Sequence, residues 1–174
     1  MNVRLLSWAM LAGVSLPVVA QAQMLQPGLW ELTTSNMKVD DQNMPQLEAL
    51  IQMAQAQMTP AQRAELEKQG ISMGGKGIRA CLTKEQVQSD NIPLTDPKSG
   101  CTQKITERTG NQWKFTFACD KAQGAGVATF LSDREFTTKV NGTFNATGMR
   151  QKGSLDTRAV WLGQECGSVK PRAY

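Results

Sequence analysis

Residues 101–119 read CTQKITERTGNQWKFTFAC. Two extended runs, 101–107 and 113–119, flank Thr109-Gly110-Asn111, whose residue types suit a turn. A hairpin centred on Gly110 sets Cys101 opposite Cys119. It also pairs Ile105 with Phe115 and Glu107 with Trp113 on the same face. The chain holds four cysteines, so the register predicts a Cys101–Cys119 disulfide and, by elimination, Cys81–Cys166. No C-x-x-C spacing supports a thioredoxin-like redox role, and no histidine exists to complete a mixed zinc site. The cysteines therefore read as structural.

Strand and turn signals continue on both sides of this hairpin. Pro27-Gly28 opens a first strand, Leu29 to Val39, in which Trp30, Leu32 and Thr34 share a face. Asp40-Asp41-Gln42-Asn43 ends it. Gly77 to Leu82 reads as a short strand, and Thr83 to Gln88 as one helical turn capped by Thr83. Asn91 to Gly100, with two prolines, reads as a loop. Beyond Cys119, extended segments run over Gly126 to Leu131, Glu135 to Val140, from near Phe144, and Leu155 to Leu162. Asp133-Arg134 and Asn141-Gly142 are the expected turns between them, the second by its Asn-Gly signal.

One region has helical periodicity. Leu47, Leu50, Ile51 and Ala54 recur at helical spacing between Pro45 and Met58. A second helix runs from Pro60 to Gln69. Thr59 caps it, Pro60 takes the first position, Gln62 completes a capping box and Gly70 supplies the C-terminal cap. The expected fold is mainly β: an antiparallel curved sheet, half-barrel or barrel of about 7–8 strands. A helical hairpin, residues 45–70, is inserted after the first strand.

The N-terminus carries a different message. Arg4 precedes an apolar run from Leu5 to Val19, and Ala20-Gln21-Ala22 has the small-x-small form of a signal-peptidase site. The run is shorter than the roughly 20 residues a membrane span needs. Residues 1–22 thus read as a signal peptide cut after Ala22, and 23–174 as a single β-rich domain. No later stretch is apolar enough to cross a bilayer, so the mature chain is expected to have no transmembrane segment. The expected location is the periplasm, where disulfides persist.

Removing 22 residues from 174 leaves 152, enough for a core covering roughly 70% of the unfolded surface. Loss of Arg4 lowers the formal charge from +4 to +3. That excess, spread along the chain, calls for no nucleic acid and no anionic membrane. The absence of histidine removes Ser–His and Cys–His nucleophile pairs and most zinc catalytic sets. An enzyme here would need a carboxylate pair or a lysine base. Asp40-Asp41 lies in turn-like sequence and reads as a solvated loop. No catalytic residue, metal ligand or cofactor motif is assigned.

Six of nine methionines fall between Met24 and Met73. Their spacing has no tight M-x-M repeat of the kind that would favour copper, so they read as core filler or an adaptable apolar face. Gly74-Gly75-Lys76-Gly77 lacks the first glycine and the Ser/Thr of a P-loop. It reads as a flexible join. Asn141-Gly142-Thr143 and Asn145-Ala146-Thr147 are glycosylation sequons that turn chemistry also explains.

Taken in order, several short segments resemble the DUF3617 family of small exported proteins from Gram-negative bacteria. They are Pro27-Gly28-Leu29-Trp30-Glu31, Met58-Thr59-Pro60-Ala61-Gln62-Arg63, Cys81-Leu82-Thr83, Cys101, Phe117-Ala118-Cys119, Trp161-Leu162-Gly163 and Cys166-Gly167. The resemblance implies location and architecture and carries no catalytic residues. Gly28-Leu29-Trp30 also resembles the Gly-x-Trp of a lipocalin first strand, although the helical insert departs from that family.

The functional expectation is a non-enzymatic binding or envelope-maintenance protein with an apolar groove between sheet and helical hairpin. Its ligand is a hydrophobic small molecule or lipid, and its candidate contacts are Trp30, Leu50, Ile51 and Met53. The alternative is a protein-interaction module acting on an envelope protein through the insert. A carboxylate- or lysine-based enzyme is the third reading.

Overall fold

A computed structural model describes residues 25–45, 47–69, 71–74, 76–89, 91–92, 100–145 and 148–171. The signal-peptide segment 1–22, the cap at Gly70, residues 93–99 of the proline loop and Ala146-Thr147 of the second sequon lie outside the described residues.

The chain opens with β1 (Gly28–Val39) and β2 (Gln42–Asn43), joined by a tight turn. Asp40 and Asp41 both hold positive φ there, 47° and 66°. Helices α1 (Leu47–Gln57) and α2 (Pro60–Lys68) follow. Thr59 caps α2 through a capping box: its hydroxyl accepts from the Gln62 N–H, and its own N–H donates to Gln62 Oε1 at 2.8 Å. Then come β3 (Ser72–Gly74), β4 (Gly77–Leu82) and α3 (Lys84–Gln88), the last capped in the same way by Thr83 and Gln86. Five strands complete the chain: β5 (Thr102–Thr109), β6 (Gln112–Cys119), β7 (Ala122–Ser132), β8 (Glu135–Asn145) and β9 (Arg150–Gly163).

Among the described residues, all the strand pairs are antiparallel and form one sheet of nine strands, ordered β3-β4-β1-β9-β8-β7-β6-β5, with β2 on β1. The sheet does not close, because β3 and β5 stand at opposite ends of the order. The expected mainly β antiparallel fold is the observed one, as an open sheet rather than a closed barrel; the short β2 and β3 bring the strands to nine where 7–8 were expected, and the helices are inserted after β2.

One face of the sheet carries the core. Four rings cross it from β1 to β6: Trp30 to Phe136 at 5.5 Å, Phe136 to Phe130 at 5.7 Å, and Phe130 to Trp113 at 4.8 Å. Trp30 and Phe136 are fully enclosed. Leu82, Val87 and Ile92 join the same cluster, so α3 and its flanks plug the inner face. The Trp30 indole N–H donates to the Gln26 carbonyl at 2.9 Å, which satisfies its polar atom in that dry setting.

Two disulfides tie the frame. Cys101–Cys119 joins the start of β5 to the end of β6, and Cys81–Cys166 fastens the segment after β9 to β4.

Three expectations need correction. The hairpin register holds from Thr102↔Ala118 to Ile105↔Phe115 and then shifts, so that Glu107 opposes Lys114 and Trp113 opposes Arg108. Thr106 is the extra residue, and its hydroxyl donates to the Lys114 carbonyl at 3.2 Å. This bulge lets a two-residue Gly110-Asn111 turn close a hairpin that otherwise required three. Asn141-Gly142 is not a turn. It lies inside β8, paired with β7 and β9, and the chain reverses after Asn145 instead. The segment near Phe144 is accordingly the end of β8 rather than a separate strand.

A glycine-floored apolar hollow as candidate ligand site

Strand glycines shape the end of the inner face remote from Trp30. Val39, Gly153, Gly142, Gly124 and Phe117 form one register row across β1, β9, β8, β7 and β6. Three consecutive strands therefore present no side chain at that level. A glycine inside a strand marks a close approach by another group, and here that group is backbone at Gly124 and Gly142 and a phenylalanine ring at Gly153 and Gly126. A Cβ on Gly153 would stand 2.9 Å from Phe144 Cε1, and one on Gly126 would stand 2.6 Å from Phe115 Cζ. The rings lie against bare backbone.

Above this floor is a hollow of about 180 Å³, walled by Met37, Val39, Phe117, Val140, Phe144 and Leu155. Its lining is almost wholly apolar, with Lys38 among the lining residues. For scale, an apolar cavity of about 150 Å³ binds a benzene-sized guest. The volume of this hollow matches one ring or a short acyl segment.

The groups with shifted pKa values lie elsewhere among the described residues. Glu85 is held below the ordinary carboxylate range by its own backbone N–H and then by the Thr83 hydroxyl. Glu107 is lowered chiefly by its hydrogen bond with Lys114, and Arg158 is raised by its bond with Glu135. All three are on exposed surface, and none lines the hollow. Among the described residues, no group of three His, Cys, Asp or Glu side chains is placed to hold a metal ion. No described helix is long and apolar enough to cross a membrane.

Three of the four candidate contacts named from sequence, Trp30, Ile51 and Met53, are not among the residues lining this hollow. Trp30 is buried in the core, nine residues from Val39 along β1, or up to about 30 Å at 3.3 Å per residue. Ile51 is buried on α1, a helix that packs on β1 and β4, whereas Met53 on the same helix is 63% exposed. Leu50 belongs to α1, but its side chain lies outside the described residues. The residues missed were Gly124, Gly142 and Gly153, together with the phenylalanines beside them. Their signal was present as glycines inside extended sequence, but reading Asn141-Gly142 as a turn concealed it.

A family model described as "Protein of unknown function (DUF3617)" matches residues 25–166. That span contains every strand and both disulfides. An "Uncharacterized protein in lpd-3 5'region" from Pseudomonas putida is 57% identical over 143 residues, covering 80% of this chain and 99% of the relative. No solved structure matches the chain. On sequence and span together, the chain belongs to the DUF3617 family.

Proposed function

We propose that this chain is an exported, non-enzymatic binding module of the cell envelope that holds the apolar end of a hydrophobic ligand. The observation that carries the reading is the hollow over the paired Gly153 and Gly142, with almost wholly apolar walls. Its location also favours this site over a groove beneath α1, since Trp30 is sealed in the core and Met53 faces water. Two disulfides fit an oxidising compartment, and the N-terminal leader sequence supports the periplasm.

Titration with a fluorescent acyl probe tests the reading. Saturable binding is expected for the native chain, with loss in Gly153→Leu, which fills the hollow at a point where the neighbour is a movable ring. Met53→Ser on α1 should bind as the native chain does. Loss in Met53→Ser with retention in Gly153→Leu would return the site to the helical hairpin.

A second reading, a protein-interaction module, is favoured by one observation. α2 has no buried residue and α1 exposes Met53, so the insert offers surface to a partner. Partner capture that is lost in Met53→Ser while probe binding persists would support it.

A further inference from the structure

The outer face of the sheet sorts charges that the sequence scatters. Lys104, Thr116, Ala125, Asn141, Ser154 and Lys38 form one outward row across β5, β6, β7, β8, β9 and β1. The row on one side brings Lys114 and Lys139, and the row on the other brings Lys152. Three shallow hollows of about 650, 400 and 780 Å³ cover this face. They meet at Thr116, Asn141 and Thr143, and so make a single trough.

The lining fits a specific chemistry. Five lysines line the trough against one acid, Asp41, and its other polar side chains are hydroxyls and amides. Beside it, Glu107 pairs with Lys114 at 2.8 Å and Asp156 stands opposite Lys139. Counting those two acids with Asp41 leaves a surplus of two positive charges. Strands stand about 4.8 Å apart, so Lys104 and Lys38, separated by five strand spacings, are about 24 Å apart along the sheet. A ligand that meets the whole set of lysines is therefore extended rather than a small anion.

Charges this sparse, with acids among them, also suit a densely charged polymer poorly. Phe115 and Phe117 border the trough from the inward rows, and no outward position in these rows of β5–β9 holds an aromatic ring, so nucleic-acid bases find no outward stacking platform. We infer that the trough binds an extended acidic polysaccharide with well-spaced carboxylates. The lysines meet the carboxylates, and Thr116, Asn141, Thr143 and Gln123 hydrogen-bond the sugar hydroxyls. The lysines of the trough stand on the outward rows of the sheet, and Lys38, Gly142, Thr143, Gly153 and Ser154 border both the trough and the apolar hollow.

Hyaluronan oligosaccharides, with one carboxylate per disaccharide, are the probe, titrated against the full mature chain. Saturable binding that weakens as salt is added is expected. A Lys104→Ala/Lys139→Ala/Lys152→Ala variant should bind at least tenfold more weakly. A control carrying Lys68→Ala, Lys84→Ala and Lys170→Ala, all exposed and away from the trough, should change less than twofold. Equal unfolding temperatures would show that all three proteins are folded. Absence of hyaluronan binding, equal loss in the control, or tighter binding of inorganic polyphosphate or of anionic lipid vesicles would each overturn the assignment.

Discussion

Gly124 and Gly142 approach each other so closely that neither strand has room for a side chain between them. A Cβ on Gly124 would stand 2.8 Å from Gly142 Cα and 2.3 Å from the Asn141 carbonyl oxygen. Both obstacles are backbone, which does not yield as a side chain does. The glycine pair therefore permits the close approach of β7 and β8 at this level, beside the hollow that Gly142 lines.

Gly124→Ala is accordingly expected to destabilise the fold by about 1–3 kcal/mol, the range for overpacking a filled site. Gly153→Ala should cost less, because its nearest atom belongs to the Phe144 ring. Urea unfolding of both variants checks the order. Equal losses would mean that the β7–β8 contact is not the constraint.

Trp30→Ala should cost about 3–5 kcal/mol, as truncation of a large core aromatic does. It removes the end of the ring series through Phe136 and leaves the Gln26 carbonyl without its indole donor. Trp30→Phe retains most of the packing and loses the hydrogen bond, so about 1–2 kcal/mol is expected. If Trp30→Phe instead leaves stability unchanged and abolishes probe binding, Trp30 is a ligand contact after all.

How far the sequence could be read depended on the range of the signals. The lower part of the β5–β6 hairpin was legible because both of its strands and its turn fall within nineteen residues. The helix caps at Thr59 and Thr83 were legible for the same reason. The bulge at Thr106 was not, since either loop length satisfies the local turn chemistry. Asn141-Gly142 shows the opposite failure. A strong local turn signal lost to two flanking strands that pair with it on both sides. The glycines were visible one by one inside extended sequence, but their alignment in one row, like the lysine trough, was beyond reach, because the members lie on different strands and meet only through register.

The two disulfides should differ in worth. Cys101 and Cys119 are separated by 18 residues, Cys81 and Cys166 by 85. The chain-entropy relation gives about 3 kcal/mol for the shorter loop and about 4.6 for the longer. Cys81→Ala/Cys166→Ala also frees the tail that buries Val169, so its thermal midpoint should fall further than that of Cys101→Ala/Cys119→Ala. The reverse order would place the stabilisation in native contacts around the β5–β6 hairpin.

Glu107 offers a pH-resolved test of the bulged register. Its carboxylate accepts from Lys114 Nζ at 2.8 Å and from Thr109 Oγ1 at 2.9 Å, and Lys114 is the larger cause of its lowered pKa. A depressed carboxylate stabilises the fold above its unfolded pKa, and this contribution is lost as pH falls through the folded pKa. Carbon-detected NMR titration should find the Glu107 midpoint below that of an ordinary glutamate. Lys114→Met should raise it toward that value, with the exposed pair adding little to stability. Had the hairpin kept its unbulged register, Glu107 would oppose Trp113. The Lys114 substitution would then leave the midpoint where it was.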